Sequence, residues 1–221
     1  MLTPHHITAE VAYTKRLDYL LYLPPDYDDH GEFPVLVFLH GSGERGPDVE
    51  RIKKFGPPKQ IAQGEALPFI VLCPQCPEGE RWEQNEHELL FLLDHIQAEY
   101  AVDEDRVYLT GFSMGAYGAW FMAWKHTTRF AALITVAAGL RAADVALAAQ
   151  KLKYIPCWVF HGKLDTAVPL SESTRMVEAL KDAGGDVRST IYANYGHEVP
   201  NAAYNDPELY AWLLRHKRHV R

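Results

Sequence analysis

Cysteine is scarce in this chain of 221 residues: there are three, Cys73, Cys76 and Cys157. An odd handful cannot staple a fold of this size, so a disulfide framework is excluded and a reducing compartment is expected. No apolar run is long enough to span a bilayer, which argues against a membrane partner. The start, Met1-Leu2-Thr3-Pro4-His5-His6, lacks the basic stretch and apolar run of a secretory leader, so the cytoplasm is the expected location. Positive charge is also short. Lys and Arg number 22 against 29 Asp and Glu, a net charge of −7 with histidine neutral. That balance disfavours a nucleic-acid partner. The one basic cluster, residues 215–221, is expected to complement the C-terminal end of the last helix. There is no internal repeat, low-complexity segment or break in composition, and residues 1–221 read as one domain.

What remains is globular composition, 48% hydrophobic and 23% charged. Short apolar runs alternate with helix-like stretches. Strands are expected at 18–23, 35–40, 69–73, 107–111, 132–137, 157–161 and 187–192. Helices are expected at 84–99, 115–125, 142–151, 171–183 and 207–217. The run Val35-Leu36-Val37-Phe38-Leu39 is apolar on both faces, as in a strand covered on both sides. Strand-helix alternation then predicts an α/β fold: a mostly parallel sheet of about eight strands, with helices on both faces. The first two apolar runs, near Val11 and over 18–23, suggest an antiparallel hairpin leading into it. The stretch between the strands ending near Ala137 and beginning near Cys157 holds about 20 residues, room for one crossover helix but not for a large lid domain.

Gly111-Phe112-Ser113-Met114-Gly115 follows one strand and opens one helix. The pattern G-x-S-x-G is weak alone; its place at a strand-to-helix turn gives it weight. Such a turn strains the central residue and lifts its hydroxyl above the sheet edge, while glycines relieve the crowding. It also leaves the Met114 amide at a helix N-terminus, suited to an oxyanion. A serine hydroxyl needs a base, and the base needs an orienting acid. Asp165, in His161-Gly162-Lys163-Leu164-Asp165, and His197, in Tyr195-Gly196-His197-Glu198, each lie just past a strand. Ser113, Asp165 and His197 thus fall at carboxyl ends of strands, in the order nucleophile, acid, base. His161 also ends a strand, but it precedes the acid, and a hydrogen bond to loop backbone suits it better. Glu198 is a rival for the acid, although neighbours on a loop point apart.

The glycine-rich segment His40-Gly41-Ser42-Gly43-Glu44-Arg45-Gly46 follows another strand and opens an irregular stretch over 41–64. The Ser42 amide is the expected second oxyanion donor. Gly43, Glu44, Trp82 and Val168 are candidates for the substrate pocket, with a core role equally open to Trp82. Glu44 and Arg45 are read as holding their loop. Cys73-Pro74-Gln75-Cys76 has redox spacing but follows a strand instead of opening a helix, and no second pair completes a zinc site, so it reads as structural.

These motifs resemble the α/β-hydrolase superfamily, and within it the esterases related to feruloyl esterases, polyhydroxybutyrate depolymerases and so-called predicted peptidases. The resemblance rests on residues 39–46, on Pro74-Gln75-Cys76-Pro77 with Trp82, on residues 105–120 around Ser113, and on His161-Gly162 with Asp165. Ala116 stands where the family usually has glycine. The resemblance implies hydrolysis of carboxylic esters through an acyl-enzyme, with no metal and no organic cofactor. The peptidase label is not carried over. Small soluble esters are the expected substrates; feruloyl or acetyl esters on carbohydrate, and acyl transfer, are the alternatives. Nothing in the pattern specifies an oligomeric state.

Overall fold

The structure is a computed structural model that describes residues 14–27 and 31–218. Seven strands form one sheet: β1 (Tyr19–Tyr22), β2 (Phe33–Leu39), β3 (Ile70–Pro74), β4 (Val102–Phe112), β5 (Ala132–Val136), β6 (Cys157–Gly162) and β7 (Val187–Tyr192). Their spatial order is β1-β3-β2-β4-β5-β6-β7. Every pairing is parallel except that of β1 with β3. The antiparallel edge is therefore present, but β1 finds its partner in β3. The expected eighth strand near Val11 lies outside the described residues.

Among the described residues, seven α-helices accompany the sheet: α1 (Gly56–Ala62), α2 (Glu86–Glu99), α3 (Met114–Lys125), α4 (Ala142–Leu152), α5 (Leu170–Asp182), α6 (Pro200–Ala203) and α7 (Leu209–Leu214). Strand side chains alternate between two cores. Val35, Val37 and Leu39 of β2 join Leu93 of α2, Trp120 of α3, Val145 of α4 and Met176 of α5 on one face. Leu36 and Phe38 join Ile52, Ala203 of α6 and Leu209 of α7 on the other. This double burial is why the central strands carry no polar side. At the edge, β7 has no fully buried position: Val187, Thr190 and Tyr192 are part-buried, and Arg188, Ser189 and Ile191 are exposed.

Several elements differ from expectation: β4 begins at Val102 instead of near Val107, and α6 has no counterpart among the expected helices. Helix α1 lies within the stretch read as irregular, because Pro57 and Pro58 look like breakers; they occupy its first turn, where no intrahelical N–H is needed. The last helix is only six residues long. Beyond it, Arg218 donates to Thr128 O and pairs with Asp105. One helix, α4, crosses from β5 to β6, and no lid domain is inserted among the described residues. No described helix is long and apolar enough to cross a membrane.

Candidate active site

The turn between β4 and α3 is set by close backbone approach. Ser113 adopts φ 53°, ψ −119°, a left-handed conformation that costs a non-glycine residue of order 1–3 kcal/mol. Its amide bonds to Val136 O at 2.9 Å, carrying the β4–β5 ladder into the turn. A Cβ on Gly115 would lie 1.8 Å from Leu39 O, and one on Gly111 2.3 Å from Gly115 O. Only glycine lets α3 begin hard against the ends of β2 and β4. Ala116 is fully buried at the next position, so the family's usual glycine is not required there. Met114 opens α3, and its N–H is a first-turn amide without an intrahelical acceptor.

Three side chains from three strand ends form a continuous chain of hydrogen bonds. Ser113 Oγ lies 2.9 Å from His197 Nε2, and His197 Nδ1 lies 2.7 Å from Asp165 Oδ2. The Asp165 side chain has no exposed surface. Burial opposes its ionisation, but hydrogen bonds from the Val168 amide, from His197 and from the Ala167 amide outweigh that cost and hold its carboxyl below the usual range. An ionised Asp165 accepts only, so Nδ1 of His197 carries the proton and Nε2 faces Ser113 with a free lone pair. The Phe112 ring packs 4.9 Å, centroid to centroid, from the imidazole and seats it. As the variable position of G-x-S-x-G, Phe112 carries no sequence signal of a contact 85 residues away.

The rivals for these roles have other partners. His161 is buried and bonds Ser173 Oγ at 2.7 Å and Val168 O at 3.0 Å, with Asp165 Oδ2 at 3.4 Å. Burial, more than any charge, keeps its pKa down. It braces the acid's loop, as loop-backbone bonding predicts. Glu198 turns back to accept from the Gly196 amide of its own loop.

Ser42 begins a single 3₁₀ turn, Ser42–Glu44, after Gly41, so its amide also lacks an intrahelical acceptor. Ser42 and Gly43 are exposed, and the space around Gly43 is open. The other pocket candidates are all largely buried. Trp82 has no exposed surface; its Nε1 donates to His40 O at 3.0 Å and its side chain fills the space beside Gly118, where a Cβ would lie 2.4 Å away. It is a core residue that supports the loop from below. Glu44 is 3% exposed, with its carboxylate over Gly41 and 3.6 Å from Lys54. Val168 is 8% exposed and contributes its backbone to Asp165 and His161. Cys73 and Cys76 are buried free thiols, with burial driving Cys76 up to about 12, so neither is a ready thiolate.

Comparison with known proteins is consistent with this architecture. Residues 78–207 match the family described as phospholipase/carboxylesterase. Two curated relatives are each 23% identical: a dipeptidyl-peptidase 5 of Porphyromonas gingivalis over 87% of this chain and 35% of its own length, and a bifunctional acetylxylan esterase/xylanase of Neocallimastix patriciarum over 81% and 26%. The chain thus spans about a third or less of the curated relatives it matches. A thermostable esterase of known crystal structure is 31% identical, with a TM-score of 0.77 over 91% of this chain and 60% of that one. More than half of the sequence falls within the matched model, and the chain belongs to the phospholipase/carboxylesterase family of α/β-hydrolases.

Proposed function

We propose that this protein is a serine ester hydrolase in which Ser113 is the nucleophile, His197 the general base and Asp165 the acid that orients it. The observation that carries this reading is the relay from Ser113 Oγ through His197 to buried Asp165, with links of 2.9 and 2.7 Å. His197 takes the hydroxyl proton as Ser113 Oγ bonds to the ester carbonyl carbon. The developing oxyanion is received by the amides of Ser42 and Met114. Collapse breaks the ester C–O bond, and His197 gives its proton to the departing alcohol. Water then repeats the sequence on the acyl-enzyme, returning Ser113. Asp165 stays ionised throughout and holds the imidazole tautomer.

Small soluble esters are the proposed substrates, because Ser42 and Gly43 lie at the surface and no lid segment covers them among the described residues. Acetyl esters on carbohydrate are a second reading, favoured by similarity to a protein named as an acetylxylan esterase. The chain is also similar to a protein named as a dipeptidyl-peptidase, so an amide-bond reading is tested beside the ester one. Replacement of Ser113 by Ala is expected to lower turnover of a short-chain p-nitrophenyl ester by about 10⁴ to 10⁶. Near-wild-type hydrolysis by that variant would overturn the assignment. An acyl-chain series, with p-nitroanilide counterparts and acetylated xylan, ranks the substrate classes; faster cleavage of the anilides than of the esters would overturn the esterase reading.

A further inference from the structure

The segment after β2 that carries Ser42 is held in a way packing does not explain. Six consecutive peptide carbonyls, Gly41 to Gly46, each accept a hydrogen bond from a side chain. His40 Nδ1 donates to Gly41 O at 2.7 Å, and Arg45 Nε to Ser42 O at 3.0 Å. Arg51 Nη2 donates to Gly43 O at 2.5 Å, and Arg51 Nη1 to Arg45 O at 2.6 Å. Gln75 Nε2 donates to Glu44 O at 2.7 Å and Gly46 O at 2.9 Å. His40 has one available tautomer, because its Nε2 accepts from the Cys76 amide at 3.0 Å.

In a planar trans peptide the carbonyl and the next residue's N–H point in opposite directions, so pinning one aims the other. No peptide among the described residues is cis. The Gly41 carbonyl held by His40 aims the Ser42 amide. The Gly43 carbonyl held by Arg51 aims the Glu44 amide, which closes the turn on Gly41 O at 3.3 Å. Arg51 therefore grips the far side of the same turn, with both prongs of its guanidinium on carbonyls two residues apart. It is presented by the 3₁₀ helix Val49–Lys54, which is anchored by fully buried Ile52 and capped by Asp48. Ser42 and Gly43 bury little surface of their own, which leaves these polar bonds to hold the turn.

We propose that Arg51 is a positioning residue for the reaction: its fork clamps the 42–46 segment so that the Ser42 amide is aimed before the oxyanion forms. This rests on the proposed reading of Ser113 as nucleophile and Ser42 as oxyanion donor. Arg51→Ala is expected to lower kcat for a p-nitrophenyl ester by about 10- to 100-fold, short of or equal to the loss of a whole oxyanion donor, with KM within about twofold. Affinity for a trifluoromethyl ketone, which forms a tetrahedral oxyanion adduct, is expected to fall by the same factor. Added guanidinium ion is expected to restore part of kcat in Arg51→Ala and nothing in wild type. Arg51→Lys is expected to remain impaired, since one ammonium does not reproduce the fork. Lys53→Ala, on the same 3₁₀ helix but paired with Glu50, serves as the control and is expected to match wild type. A folded Arg51→Ala with kcat and ketone affinity within twofold of wild type overturns the clamp, as does a rise in KM with kcat unchanged. If Arg51→Ala does not fold, Arg51→Gln is read by the same criteria. Ser113→Ala run in parallel separates the two levels: its retained hydrolysis sinks the nucleophile assignment, whereas its inactivity beside a fully active Arg51→Ala sinks the clamp alone.

Discussion

The turn at Ser113 and the turn at Ser42 lie side by side at the ends of β4 and β2, yet they are rigid for different reasons. The first is held by backbone against backbone: Gly115 has 1.8 Å of clearance to Leu39 O where a Cβ would go, and Gly111 has 2.3 Å to Gly115 O. The second is held by polar side chains of His40, Arg45, Arg51 and Gln75, reaching carbonyls across up to 31 residues of sequence. A steric device fails all at once when it is changed. A hydrogen-bonded device loses its aim in steps. The proposed site therefore joins a serine whose position tolerates nothing to a Ser42 turn whose alignment is adjustable.

The sharpest way to break this contrast is Gly115→Ala. The added methyl meets backbone on a neighbouring strand, which cannot move aside cheaply, so a loss beyond about 4 kcal/mol is expected and the fold itself should fail. Circular dichroism and solubility check this; a well-folded, active variant would remove the steric account. Next in size, Asp165→Asn keeps the shape but allows the wrong imidazole tautomer. Turnover should drop by about 10⁴ with little change in melting; a drop below tenfold would mean Asp165 does not orient His197.

Acid tests the polar half. Burial lowers the His40 pKa from 6.5 to about 4, so the folded protein holds this ring neutral while the unfolded chain protonates it. The unfolded state binds more protons between those values, so stability falls as pH drops from about 6.5 towards 4 and levels off below. The size is about 3 kcal/mol, because His40 is 1% exposed. Buried His161 shifts in the same direction and adds to the slope. Asp165 has a lowered pKa, so its contribution is present above the unfolded value near 3.8 and is lost only at more acid pH. Urea unfolding at pH 7, 5.5, 4 and 3 separates these windows, and His40→Gln should flatten the first. An unchanged slope in that variant would mean the ring is not buried neutral. The smallest effect is expected of Trp82→Phe. It loses the bond to His40 O, about 1 kcal/mol of stability, and leaves the ranking of ester substrates as it was. A changed ranking would return Trp82 to the pocket wall.

The same contrast explains what was legible in the sequence. The central strands stand out because burial on both faces removes the polar half of their alternation, as in β2. The elbow is legible because its constraints fall within five residues, and Ser113, Asp165 and His197 because each follows an apolar strand in a fixed chain order. The frame around Ser42 is not legible in the same way. Arg51 and Gln75 are ordinary polar residues: the 3₁₀ helix Val49–Lys54 turns Arg51 back onto the loop, and the paired register of β2 with β3 brings Gln75 to it. Trp82 is open between pocket and core in the sequence because an aromatic just past the 73–77 loop suits both; its packing beside Gly118 favours the core. Helix α1 was hidden by the prolines that in fact start it.

The central claim is that Ser113, activated by His197, is the nucleophile. Its most direct measurement is labelling with a fluorophosphonate, followed by mass-spectrometric mapping of the adduct. One phosphonyl group is expected on Ser113, with labelling strongly slowed in His197→Ala. An adduct on another residue, or equal labelling of Ser113→Ala, would contradict the account.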